Sequence, residues 1–255
     1  MNKRLGLLIG ACIVVTFASN SPADVTKTYY FDQADASSPV QDLNGLSARA
    51  VFTLSSPTQL QIELFNTSTG LPDVWGSGAN ANQIMTGISF DMGVPGYNGD
   101  PEITGGSVII GPGGRSINFD QIPSQLGEYD DVSGEWGYGN MDGTGLLPNL
   151  VSANIGGATR FPGDNLDDGA QIDGPQAGIV ALLDDLPLAD LGGLGAIADS
   201  VIITLTIDIP LSDLDFLDEN GLRIEFGSDR AFLTPEPATL TLLALGLALI
   251  RRPRR

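Results

Sequence analysis

Histidine is missing from all 255 residues, and cysteine occurs once, as Cys12. Without an imidazole there is no Ser-His-Asp or Cys-His nucleophile, no general base with an ordinary pKa near neutrality and no histidine-based zinc centre. Basic residues are also scarce. Twelve Lys and Arg stand against 31 Asp and Glu, for a formal net charge of −19. Such a chain repels phosphate backbones, which excludes nucleic acid as a partner. No uninterrupted apolar run reaches the roughly 20 residues of a comfortable membrane span. What the chain has in excess is glycine and proline, 33 and 16 residues. Together they make about 19% of the sequence against an average near 12%. This is the profile of a turn-rich, all-β protein.

The two ends read as addresses. Met1-Asn2-Lys3-Arg4 is followed by an apolar run from Leu5 to Ala18 and then by Ser19-Asn20-Ser21-Pro22-Ala23. A positive start, a short apolar stretch and small residues at its end make a secretory signal peptide over 1–23, with cleavage expected after Ala23 or, alternatively, Ala18. Ile9-Gly10-Ala11-Cys12 is somewhat like a bacterial lipobox, but the apolar run continues through Ile13-Val14-Val15. Cys12 is therefore expected to leave with the leader. The exported protein would then hold its fold by burial alone, without disulfides.

At the other end, Thr234-Pro235-Glu236-Pro237 precedes thirteen uncharged residues, Ala238 to Ile250, and then Arg251-Arg252-Pro253-Arg254-Arg255. A helix can begin just after Pro237. Its leucines cover every side, which suits lipid, and the arginines should stay cytoplasmic. Thirteen helical residues reach only about 20 Å, which fits a temporary anchor. Pro235, Glu236 and Pro237, the apolar segment and the cluster Arg251, Arg252, Arg254 and Arg255 together resemble the PEP-CTERM sorting signal of Gram-negative exported proteins, over residues 235–255. The resemblance implies recognition by exosortase, a membrane-embedded processing enzyme. It also implies transient anchoring in the inner membrane, then release to the envelope or extracellular matrix, in a setting linked to exopolysaccharide and biofilm. The apolar segment is shorter than a permanent span, and Pro253 interrupts the arginines.

Between the addresses, residues 24–234 carry 30 acidic and 6 basic side chains, a net charge of −24. Ala48, Ala50, Phe52 and Leu54 alternate with polar neighbours, as do Leu60, Ile62 and Leu64, so 47–66 reads as a hairpin turning at Ser56-Pro57-Thr58. In the run 200–209, Val201, Ile203, Leu205, Ile207 and Ile209 face one way and Ile202, Thr204, Thr206 and Asp208 the other. Further strands are expected at 26–31, 84–92, 107–110, 116–119, 178–182 and 222–226, with a short helix or apolar loop at 184–194. Many short strands divided by glycine-rich turns predict a single antiparallel β-sandwich or jelly roll over 24–227, followed by a brief stalk at 228–234.

Three constellations could carry chemistry. Asp164, Asp167, Asp168 and Asp173 lie in a Gly-containing stretch that could hold calcium weakly. An EF-hand is excluded because Leu166 occupies its third position and Pro175 its twelfth. The plainer reading is a set of solvated turns. Glu128 and Glu135 flank Tyr129, Trp136 and Tyr138, a grouping of acids and aromatics suited to gripping a sugar. Hydrolysis would need two carboxyls about 5–9.5 Å apart. Trp136 reads equally as a core anchor or as an aromatic at a binding edge. Gly111-Pro112-Gly113-Gly114 opens no amphipathic helix and is a turn, not a nucleotide loop. Asn66-Thr67-Ser68 matches a glycosylation acceptor pattern but reads better as a strand-end turn. Ice binding would demand a regular threonine ladder, and Thr204 with Thr206 is too little.

The expectation is thus an exported, non-enzymatic structural or adhesive protein, with calcium as its one candidate cofactor. Its partners would be exosortase, the membrane through the C-terminal helix, and exopolysaccharide. The rival is a secreted carbohydrate-binding or glycoside-hydrolysing protein.

Overall fold

The computed structural model describes residues 25–35, 38, 43, 45–69, 84–92, 101–117, 126–139, 149–153, 164–166, 178–181, 196–217, 219–227 and 231–236. The segments 1–23 and 237–255 lie outside them, as does 184–194. Among the described residues the protein is all-β. Its strands are β1 (Val25–Ala34), β2 (Ala48–Ser56), β3 (Gln59–Asn66), β4 (Met85–Ser89), β5 (Ile103–Ile110), β6 (Arg115–Ile117), β7 (Gly137–Gly139), β8 (Leu150–Ser152), β9 (Asp164–Asn165), β10 (Gly178–Val180), β11 (Ala196–Ala198), β12 (Ser200–Ile207), β13 (Arg223–Phe226) and β14 (Ala231–Pro235). Single 3-10 turns lie at Ser133–Glu135 and Glu219–Gly221. No helix here is long and apolar enough to cross a membrane.

All fourteen strands belong to one sheet, ordered β5-β12-β3-β2-β1-β14-β13-β4-β10-β11-β6, with β8, β7 and β9 branching from β4. Its two end strands, β5 and β6, are consecutive in the chain and joined by the turn 111–114. The strands beside them, β12 and β11, are also consecutive and are joined at Asp199, whose φ is 80°. One continuous ribbon therefore meets both ends of the sheet and nearly closes it. Asp199 holds the corner on two sides. Its N–H donates to the Val180 carbonyl at 2.9 Å, and its own carbonyl accepts the Asn66 N–H at 3.0 Å. Aspartate tolerates this left-handed conformation better than most side chains.

Pattern explains pairing. The alternation over 47–66 produces the expected hairpin, with Ala48, Ala50, Phe52, Leu54, Leu60, Ile62 and Leu64 all buried. In β12, Val201, Ile203, Leu205 and Ile207 point inward as read from sequence. These side chains form a continuous core with Ile88, Phe90, Ile224, Phe226 and Leu233 from the other half of the sheet. Phe52 meets Phe90 across it, edge to face, at 5.8 Å between ring centres. At 20–33 cal/mol per Å², burying side chains of this size contributes about 1.5–3 kcal/mol each, which replaces the absent disulfides.

One boundary needs correcting. The expected stalk at 228–234 overlaps β14, which lies between β1 and β13 with Leu233 fully buried. The fold thus extends to Pro235 and does not end at 227. Proline lacks a backbone donor, but at the last position of a strand that loss is tolerated, so the Pro-Glu-Pro run ends the sheet without preventing it. Strands β7, β8, β9 and β11 are only two or three residues long, and their sequences carry no alternation long enough to reveal them.

Candidate functional site

Four places bear on function. The first is where the tail leaves. Phe31 of β1 is paired with Pro235 of β14, and the Glu236 N–H donates to the Tyr30 carbonyl at 2.9 Å. Asp32 sits in a bulge of β1 between Phe31 and Gln33. A side-chain hydrogen bond to Asp32, added to the repulsion between the two acids, raises the Glu236 carboxyl pKa above its ordinary value. Pro235 and Glu236 of the Pro-Glu-Pro run are therefore fixed to β1. Pro237 and the arginines Arg251, Arg252, Arg254 and Arg255 lie outside the described residues.

The second is the acid-aromatic segment. Tyr129 donates its N–H to the Ile110 carbonyl, Ile110 donates to Asp130, and Val132 donates to Val108, so the segment lines the outer edge of β5. Ser133 locks it in place, its Oγ accepting the Val108 N–H at 2.8 Å and donating to Asp131 Oδ1. The candidate sugar contacts are divided by this arrangement. Glu128 and Tyr129 stand exposed at the turn, Tyr129 with a left-handed φ of 66°. Glu135 and Tyr138 are half-buried. Trp136 is fully buried among core side chains, and its indole N–H has no hydrogen-bond partner among the described residues. As a sugar contact Trp136 is thus corrected: its ring faces the hydrophobic core, the more favourable place for so large an apolar surface.

The third is the aspartate stretch. Asp164 and Asn165 form β9 and pair with Tyr138 and Gly137, while Leu166 donates its N–H to the Trp136 carbonyl at 3.0 Å. The structure thus brings the start of the candidate calcium stretch beside the acid-aromatic segment. Leu166 is buried in the core, which gives a packing reason for an apolar residue where a calcium loop would need oxygen. Asp167, Asp168 and Asp173 lie outside the described residues. Among the described residues no three acidic or sulfur ligands gather into a metal-holding group.

The fourth was not legible in any one segment. Strands β1, β2, β3, β12 and β5 are neighbours, and their outward side chains form rows across the sheet. One row reads Thr26, Thr53, Gln61, Thr204 and Ser107. The next reads Thr28, Val51, Glu63, Ile202 and Ile109, and the third begins Tyr30, Arg49, Phe65. Thr26 and Thr53 share a hydroxyl hydrogen bond at 3.3 Å. The Arg49 guanidinium lies 3.8 Å from the centre of the Phe65 ring. Gln61, Val51 and Glu63 interrupt the threonines, so even this larger set is not the regular ladder that ice binding needs. Only the register between strands distant in sequence assembles the face.

No family model matches the chain, and neither a curated protein nor a solved structure was found to match it.

Proposed function

We propose that this is an exported, non-enzymatic protein of the cell envelope or extracellular matrix, sorted through a C-terminal PEP-CTERM signal that is removed by exosortase. Its body is read as a flattened, jelly-roll-like sandwich, formed as the long sheet folds over its own core. The observation that carries the reading is the end of β14. The last described strand ends at Pro235, where the resemblance begins, so loss of everything beyond Glu236 would remove no described strand. β14 runs antiparallel to β1, so the chain passes Tyr30 heading toward Val25. Both ends of the fold therefore leave on one side, suited to attachment at one membrane surface.

Intact-mass measurement of the protein recovered from its own host tests the reading. A mature species beginning near Asp24 and ending shortly after Glu236, in the envelope or matrix fraction, is the expected result. A full-length C-terminus would overturn it. Calcium would act by relieving the self-repulsion of a body of net charge −24. A rise in the melting midpoint with calcium over chelator supports that role, and an unchanged midpoint removes it. The rival glycoside-hydrolase reading loses its principal aromatic with Trp136 in the core. Turnover of any glycan by the purified protein would restore it.

A further inference from the structure

We propose that the outer face of β1, β2, β3, β12 and β5 is the surface on which this protein holds an uncharged, hydroxyl-rich polysaccharide chain. This rests on the matrix-associated reading above and names the partner it calls for.

The first support is charge. Thirty acids against six bases are distributed over residues 24–234. Yet the first row, Thr26 to Ser107, carries no charge, and the second and third carry only Glu63 and Arg49. Five strands at about 4.8 Å spacing make this neutral strip roughly 19 Å wide. A polyanion would be repelled by the surrounding body, whereas an uncharged polymer meets an uncharged strip with no electrostatic penalty.

The second is chemistry. Threonine and serine hydroxyls and the glutamine amide both donate and accept hydrogen bonds, so the row can answer a polyol whichever way its hydroxyls turn. Protein partners are usually gripped by buried aromatic and arginine anchors, and the first row, Thr26 to Ser107, holds neither. Two bodies of charge −24 would also repel each other on approach. A lipid surface would require a broad apolar face, whereas Val51, Ile202 and Ile109 share their row with Thr28 and Glu63 and lie beside a row of hydroxyls and an amide.

The third is a platform. Tyr30 is 58% exposed at the end of its row, beside Arg49 stacked on Phe65. Its backbone is fixed between Arg49 of β2 and the Glu236 N–H. A ring so held presents its electron-rich face to the C–H bonds of a sugar at little entropic cost.

The test is co-sedimentation of the full chain, in mild detergent, with washed insoluble cellulose, chitin and starch granules, and with a calcium-free alginate gel as the anionic comparison. Retention on at least one neutral polymer, exceeding that on alginate, is expected. Tyr30→Ala should weaken it about fivefold or more, the effect of one aromatic contact. The double variant Thr53→Glu/Gln61→Glu should abolish it while keeping the wild-type circular dichroism, since both side chains are half-exposed on the outward side of the sheet and neither belongs to the core. Glu219→Ala, on the 3-10 turn outside these five strands, should bind as wild type. Absence of retention on all three neutral polymers overturns the proposal, as does wild-type retention by both face variants. A wild-type dimer that the double variant dissolves, with polymer retention unmoved, would give the face to a second copy instead. Failed retention alongside normal processing in the host refutes the face alone. Normal retention alongside an unprocessed host protein refutes the sorting reading alone.

Discussion

Glu236, the residue after β14, donates its N–H to the Tyr30 carbonyl at 2.9 Å and so stands beside Asp32 in the bulge of β1. The Asp32 side chain raises the Glu236 carboxyl pKa by hydrogen bonding and charge repulsion. The folded state raises the Glu236 pKa above its ordinary 4.5. A carboxyl that binds its proton more tightly when folded stabilises the fold below pH 4.5 and loses that contribution as pH rises through the raised value. Hydrogen-exchange protection of the Glu236 amide should therefore fall as pH climbs from about 4.5 toward neutrality. Asp32→Asn, whose amide can donate to the ionised Glu236, should keep the protection at neutral pH. Protection that does not change with pH in the wild type would refute the coupling of Glu236 to Asp32.

Gly106 of β5 lies opposite Leu205 of β12. A Cβ there would stand 2.2 Å from the Thr204 carbonyl oxygen, a backbone atom that cannot turn aside. Gly106→Ala should force β5 away from β12 and destabilise the protein by about 1–3 kcal/mol. A lowered urea midpoint with an unchanged slope is the expected reading, and an unshifted midpoint would contradict this register.

Asn66 ties together two parts of the nearly closed sheet. Its Nδ2 donates to the Ile179 carbonyl at 2.8 Å and its Oδ1 accepts the Ser68 N–H at 3.1 Å. Asn66→Ala leaves both buried groups without their partner and should cost about 1–3 kcal/mol. The drop is measured by thermal or urea melting. With its side chain buried and engaged, Asn66 should also stay unmodified in a glycosylating host, as its intact mass would show.

Trp136 separates a core role from a sugar-binding one. Trp136→Ala should destabilise by about 3–5 kcal/mol through the cavity it leaves. Trp136→Phe, which keeps most of the volume and removes the indole N–H, should cost less and leave polysaccharide retention at the wild-type level. Lost retention with unchanged stability would return Trp136 to the binding surface.

What was legible in the sequence was what repeats locally. The hairpin at 47–66 and the strand near 200 each show several cycles of alternation, and burial reproduces that alternation residue by residue. Strands of two or three residues, such as 137–139 and 164–165, contain no full cycle and exist because a neighbour offers a register. Trp136 was ambiguous for the same reason: glycines around it carry no facing information. The end of the fold was misjudged at β14 because proline punctuation outweighed the apolar pair Phe232 and Leu233. The polar face was hidden because its row joins residues 26, 53, 61, 107 and 204, which no local window contains.

On the proposed reading, the corner at Asp199 and the turn at 111–114 have a kinetic meaning. A ribbon that begins at one limit of the sheet continues into the other, so neither limit is a loose flap from which unzipping can start. Degradative enzymes in the surroundings act on segments that open. Here such opening would have to tear adjoining strands from both sides of the ring together, and endurance outside the cell would come from connectivity where many exported proteins use sulfur bridges.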